Sequence, residues 1–300
     1  MRVLISGASG LLGTALTSAL RNDGHETAAL VRRPAGKDQV QWDPRQPLDP
    51  TKLSGYDAVV HLAGKNIGGL WTAKLKQEVL ESRAIGTRTL ATAAAESFRR
   101  TGQPSVLVSA SGVGYYGNRG DQVLTEESGV GSGFLADVCK QWEAATAPAR
   151  DAGVRVVNLR IGLVLARDGG ALKPMLLPFR LGVGGRVGSG RQWWSWIALD
   201  DVIGVIMFAI RNEGLSGPVN VVGPSPVRNA DFVKALGKAL HRPTIFPLPE
   251  FVIRTVMGEM GEELLLTSAH AVEKKLCEAG YAFRYASLDE ALRIALGAAG

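Results

Sequence analysis

Several features are scarce in this chain of 300 residues, which holds only two cysteines, Cys139 and Cys277. They lie far apart and have no metal-ligand spacing, so neither a disulfide staple nor a structural metal is expected, and a reducing compartment is. Both thiols read as buried apolar residues rather than reactive groups. Long hydrophobic runs are missing too: the longest, Val202 to Ile210, is far below the roughly 18 residues of a membrane span. The first residues enter a strand directly, with no signal-peptide pattern, and no repeat or low-complexity tract interrupts the chain. The net charge of +6 is modest and its basic residues are scattered. That suits an anionic small-molecule substrate better than nucleic acid. A cytoplasmic protein with neither a membrane nor nucleic acid as partner is the expectation.

What is present is glycine, and it is concentrated at informative places. The apolar run Arg2 to Ser6 gives way to Gly7-Ala8-Ser9-Gly10-Leu11-Leu12-Gly13, and Thr14 to Arg21 then carries apolar residues at helical spacing. A glycine turn between a strand and a helix is the setting a nucleotide requires. Gly7 permits the tight turn, Gly10 lets backbone approach a pyrophosphate, and Gly13 lets the helix pack close to the strand, while the helix N-terminus offers free N–H groups. A second strand, Thr27 to Val31, ends at Arg32-Arg33. A carboxylate there would bond the adenosine ribose and select NAD, whereas an arginine pairs with a 2′-phosphate, so Arg32 favours NADP(H). The bland alternative is a solvated basic pair.

Further strands are expected at Asp57 to Leu62, Ser105 to Ser109 and Val154 to Ile161, alternating with helices at Lys74 to Arg100 and Phe134 to Arg150. Alternation of this kind specifies an α/β fold with a doubly wound parallel sheet. Ala63 and Gly64 leave the first of these strands as small residues that let a cofactor come close. The exit Ala110 to Gly117 is rich in hydroxyls and should overlook a nicotinamide, because ligands bind beyond the carboxyl ends of parallel strands.

From Gly162 the character changes. The segment Leu181 to Gln192 is dense in glycine, with Arg180, Arg186 and Arg191, and Trp193, Trp194 and Trp196 follow. It reads equally as a pocket wall or as a packed β-segment of a C-terminal lobe. Asp200-Asp201 suits the first turn of the apolar helix Val202 to Arg211. A returning strand at Val219 to Val222 and a helix at Asn229 to Leu240 follow. The expected organisation is a nucleotide-binding domain over residues 1–165, completed by 198–223, and a substrate lobe drawn mainly from 166–300.

With these pieces in place, the chain resembles the atypical extended short-chain dehydrogenase/reductases, the NAD-dependent epimerase/dehydratase-like group. The likeness runs nearly end to end. It rests on GASGLLG at Gly7 to Gly13, VVHLAG at Val59 to Gly64, SASGVGYYG at Ser109 to Gly117, KQWEAA at Lys140 to Ala145, and LRIGLVL at Leu159 to Leu165. It continues in LLPFRLGVGGRVGSGRQWWSWI at Leu176 to Ile197, whose LPFRLGVGG is the most specific part, and EAGYAFRY at Glu278 to Tyr285 closes it. The resemblance implies a Rossmann-type doubly wound sheet with a smaller C-terminal substrate lobe. It also implies cofactor-binding roles for Gly7, Ser9, Gly10, Leu11, Leu12, Gly13, Arg32, Leu62, Ala63, Glu78 and Arg83. Lys65 stands where the group usually has Glu or a similar residue.

One departure from the wider superfamily bears on function. Its working members carry Tyr-x-x-x-Lys, in which the lysine lowers the tyrosine pKa for proton exchange. Counting back from Glu143 puts Cys139 at the lysine position and Leu135 at the tyrosine position, and a shift of one residue gives Lys140 and Ala136. Neither register restores the pair. Ser111, at the expected place of a substrate-polarising serine, and Tyr116 are the substitute catalytic candidates, with ring packing as the plainer role for Tyr116. The reading is an NADP(H)-dependent oxidoreductase or nucleoside-diphosphate-sugar-epimerase-like enzyme acting on a small polar substrate. The alternative is a non-catalytic NADPH-binding redox sensor or assembly factor. A homodimer through the two long helices stays an open option.

Overall fold

A computed structural model of the chain describes residues 1–297. Its main sheet has seven strands: β1 (Arg2–Ser6), β2 (Glu26–Val31), β3 (Gln39–Gln41), β4 (Ala58–His61), β5 (Val106–Gly112), β6 (Arg155–Ile161) and β7 (Gly217–Val221). Their order is β3-β2-β1-β4-β5-β6-β7, and every neighbouring pair is parallel. The order reverses between β1 and β4, so the carboxyl ends of those two strands flank the crevice where such sheets bind ligands.

The strands read as unbroken apolar runs because both faces are covered. Val3 and Ile5 of β1 point to one face, with Val60 and Val108, and pack on helix α1 (Leu11–Asn22) through Leu16 and Leu20 and on the helix Leu199–Arg211 through Val202, Val205 and Ile206. Leu4, Val59 and Leu107 point to the other face and meet Leu90, Ala91 and Ala94 of helix α2 (Ala73–Thr101). The helical stretch expected from Phe134 to Arg150 is two helices, α3 (Phe134–Ala144) and the short Ala147–Asp151. Pro148 accounts for the break, since it has no N–H to donate and its ring crowds the carbonyl four residues back.

A second core lies in the C-terminal lobe, where Leu172, Leu176, Phe179, Trp194, Trp196, Phe232, Leu236, Ile253 and Leu292 pack together. Of the two readings of the tryptophan segment, packing prevails. Trp194 and Trp196 are almost wholly buried, in the short strands Trp193–Trp194 and Trp196–Ala198, and Trp193 stacks on His270 with ring centroids 3.9 Å apart. Asp201 ties this lobe to the sheet: buried in the first turn of Leu199–Arg211, it accepts hydrogen bonds from the backbone N–H of Arg284 (2.8 Å) and Tyr285 (3.3 Å). The expectation for the cysteines needs one correction. Cys139 is buried, but Cys277 is exposed, because in the short helix Lys274–Glu278 it is Leu276 that turns inward.

Candidate functional site

Nearly all the residues singled out from the sequence lie along the carboxyl edge of the sheet. Gly7 leaves β1 with φ +73°, and a side chain there would sit 2.8 Å from the Ala63 nitrogen and the Leu62 carbonyl carbon. Gly13 is as tightly held, since a Cβ would lie against the Gly7 carbonyl oxygen. The turn is therefore pressed between α1 and the exit of β4. Gly10 is the N-cap of α1 and has no side chain to bond the first-turn N–H groups of Leu11 and Leu12, while Ser9 is exposed beside them. Those donors face outward unpaired by any cap, which is what an anionic group requires.

The exit of β4 joins this turn to α2. Arg83 donates from Nη1 to the carbonyls of Lys65 (3.0 Å) and Val79 (3.2 Å), and its guanidinium lies 4.9 Å over the Trp142 ring. Glu78 pairs with Lys65 at 2.8 Å, and that bonded ammonium holds its carboxyl below the usual range. The strand below is stiffened by an internal contact: Ser6 and His61, cross-strand partners in β1 and β4, meet at 2.5 Å through Oγ and Nδ1. Burial, with the nearby Arg83 charge, pushes His61 down to about 4, so the ring is neutral.

Arg32 is exposed at the end of β2, at the mouth of a cavity of ≈ 520 Å³ that it lines with Gln41, Trp42, Asp43 and Lys52. Its place in the strand-helix-strand unit is what singles Arg32 out in the sequence. Lys52, which no periodicity marks, lies on the short turn Pro50–Leu53 and donates from Nζ to the Gln41 carbonyl at 3.0 Å.

Ser111 and Tyr116 leave β5 into a buried polar network. Ser111 Oγ donates to Glu143 Oε1 (2.8 Å), and the same carboxylate takes two hydrogen bonds of 2.9 Å from Nε and Nη2 of Arg160. Arg160 Nη1 also donates to the Tyr116 hydroxyl (2.9 Å), whose own proton lies between Asn220 Oδ1 (2.6 Å) and the Thr125 carbonyl (3.0 Å). The Arg160 side chain is 3 % exposed, and its guanidinium lies 3.5 Å over the Tyr115 ring. Burial by itself would lower the guanidinium's pKa, but the Glu143 contact outweighs it and the shift is upward. Glu143 entered the sequence reading only as a register marker. An arginine inside the apolar run VVNLRI was the available signal, since a charge among buried strand residues demands a partner.

These contacts correct one catalytic candidate. Tyr116 is wholly buried, its hydroxyl is enclosed by Arg160, Asn220 and Thr125, and burial pushes its pKa up to about 12 despite the pull of Arg160. A hydroxyl without accessible surface cannot meet a substrate, so the ring and its network are what Tyr116 supplies. Ser111 is 5 % exposed and stays beside the site. At the positions where the superfamily's tyrosine and lysine would fall, Leu135 packs toward Gly114 and the Cys139 thiol is buried, which pushes its pKa up to about 11.

Fold and site thus define a nucleotide-binding α/β protein of the short-chain dehydrogenase/reductase type. Residues 3–223 match the NAD dependent epimerase/dehydratase family, and the chain belongs to it. Residues 248–295 match a domain of unknown function, DUF1731. An epimerase family protein of Mycobacterium bovis is 44% identical over 293 residues, covering 97% of this chain and 96% of that protein. The crystal structure of human epimerase family protein SDR39U1 (isoform 2) with NADPH superposes with a TM-score of 0.88 at 36% identity, covering 99% of each chain. A nucleoside-diphosphate sugar epimerase from Corynebacterium glutamicum gives a TM-score of 0.82 at 39% identity, covering 99% of this chain and 58% of that one.

Proposed function

We propose that the chain is an NADP(H)-dependent oxidoreductase or sugar-nucleotide-epimerase-like enzyme acting on a small polar substrate. The observation that carries this reading is the uncapped glycine turn Gly7 to Gly13 at the end of β1, with Arg32 at the end of the parallel neighbour β2 on the same sheet edge. The residues fit the cofactor. The first-turn N–H groups of α1 take the diphosphate, Arg32 the 2′-phosphate, and the backbone of Leu62 and Ala63 flanks the turn. Glu78, paired with Lys65, would accept from a ribose hydroxyl, and Arg83 contributes a cation beside Gly64. The NADPH in the human relative's crystal structure supports the same choice.

Bound NADP(H) would supply or accept hydride. The chain's own task is then to place the substrate and manage a proton without the tyrosine and lysine pair. Ser111 Oγ is the hydroxyl placed for it. Its proton is donated to Glu143, so its lone pairs are what it would offer a substrate hydroxyl, with the Cys139 thiol packed beside them.

A second reading has its own support. Apolar Leu135 and buried Cys139 at the two vacant positions suit a protein that holds NADPH without turning it over, a redox sensor or assembly factor. NADPH deuterated at C4 with a panel of aldehydes and ketones, and NADP+ with nucleotide sugars deuterated at their ring carbons, each mixed with the protein, separate the two. Label moving from cofactor to a carbonyl compound or from a sugar to the cofactor, or a sugar emerging with changed configuration, supports the enzyme. Firm NADPH binding without transfer supports the sensor, and no binding rejects both.

A further inference from the structure

Two stretches of the C-terminal lobe carry basic residues and no acidic ones. Residues 169–199 hold Lys173, Arg180, Arg186 and Arg191, residues 232–249 hold Lys234, Lys238 and Arg242, and neither contains Asp or Glu. The fold lays them side by side. Gly185 bridges Ile245 in antiparallel fashion, Val187 bridges Leu248, and Arg242 Nε donates to the Arg180 carbonyl at 2.9 Å. Lys234 and Lys238 face Asp231 (3.9 Å) and Asp289 (3.7 Å), but Arg180, Arg186 and Arg242 are exposed, and among the described residues none of these three pairs with a carboxylate.

Apolar side chains stand out from the same face. Leu177, Leu181, Val183, Ile245 and Phe246 are 66%, 68%, 57%, 73% and 55% exposed. They line no ligand pocket: the notch beside Ile245, walled by Arg186, Lys234 and Pro247, holds only ≈ 110 Å³, well below the volume of a metabolite site. Exposed aliphatic groups ringed by unpaired arginines are too many to be the scattered apolar residues of an ordinary surface.

The charge decides what covers this face. A second copy docked symmetrically would set the same basic residues against each other, which is unfavourable. Single-stranded nucleic acid would want several aromatic platforms, and the face offers only Phe246. We propose that this face docks on the surface of an anionic lipid bilayer, with Leu177, Leu181, Val183, Ile245 and Phe246 entering the headgroup and acyl boundary and Arg180, Arg186 and Arg242 pairing with lipid headgroups. The expectation of no membrane partner rested on the lack of a spanning run, and surface docking needs none.

Vesicle flotation with the full chain tests it, using phosphatidylcholine vesicles with and without phosphatidylglycerol. The protein should float with the anionic vesicles, stay behind with the neutral ones, and be released by high salt. Removing one basic contact, as in Arg242→Gln, should weaken binding about fivefold. The pair Leu181→Asp and Ile245→Asp should abolish flotation while leaving the unfolding curve and NADPH affinity unchanged; both residues are exposed, and neither lies at the sheet's carboxyl edge. No flotation of the unmodified chain with anionic vesicles at low salt overturns the proposal. So does flotation unaffected by the two aspartates, or binding found only to an acidic protein or to polynucleotide.

Discussion

Glu143 grips Arg160 through two hydrogen bonds of 2.9 Å beneath the carboxyl edge of the sheet, and the same carboxylate accepts the Ser111 proton. Both side chains are nearly out of water, at 12% and 3% exposure. A pair so placed gives little net stability against an apolar substitute, but removing one partner strands the other charge. Glu143→Gln should therefore lower unfolding free energy by about 3 kcal/mol, measured by urea denaturation. A loss below about 1 kcal/mol would mean that water reaches Arg160.

Tyr116 makes the complementary case. Tyr116→Phe removes the hydroxyl shared by Arg160 and Asn220, and the expected cost is about 2 kcal/mol. NADPH affinity and any label transfer should stay within the range of the unmodified protein. Loss of transfer in a stably folded Phe variant would restore Tyr116 as a proton donor.

Ser111→Ala should behave differently. Its hydroxyl contributes one charge-assisted hydrogen bond, so stability should fall by about 1.5 kcal/mol, while label transfer should fall by about a hundredfold if Ser111 Oγ handles the substrate proton. Equal transfer rates would remove Ser111 from the chemistry.

His61 predicts a pH dependence. Its folded pKa of about 4 lies below the ordinary value of 6.5, so the folded chain gains nothing and loses nothing from it above pH 6.5. As pH falls from 6.5 toward 4 the unfolded chain binds a proton that the folded chain refuses, and stability drops by up to about 3 kcal/mol. His61→Leu should flatten that limb of the stability profile, as followed by chemical denaturation at stepped pH. A profile with the same slope in both proteins would contradict the assignment.

Much of the fold was legible because its signals are local. The runs at Val3 to Ile5 and Val106 to Val108 are apolar on both faces, and helix boundaries such as Asn229 to Leu240 follow their spacing. The glycine turn was legible for the same reason, since Gly7 and Gly13 are tied to contacts that only glycine allows. What escaped was long-range pairing. The Glu143 and Arg160 pair joins residues 17 apart in sequence, and Asn220 reaches Tyr116 across 104. No periodicity encodes such partners. The burial of Tyr116 was hidden likewise, because a loop rich in hydroxyl and glycine reads as open until the neighbouring segments close over it.

The central claim is that the glycine turn and Arg32 hold NADP(H). Calorimetric titration of the full chain with NADPH and with NADH, repeated on Arg32→Glu, tests it most directly. The account predicts that the unmodified protein binds NADPH at least about tenfold more tightly than NADH, and that Arg32→Glu reverses the order. Equal affinity for the two nucleotides, or no heat with either, would contradict it.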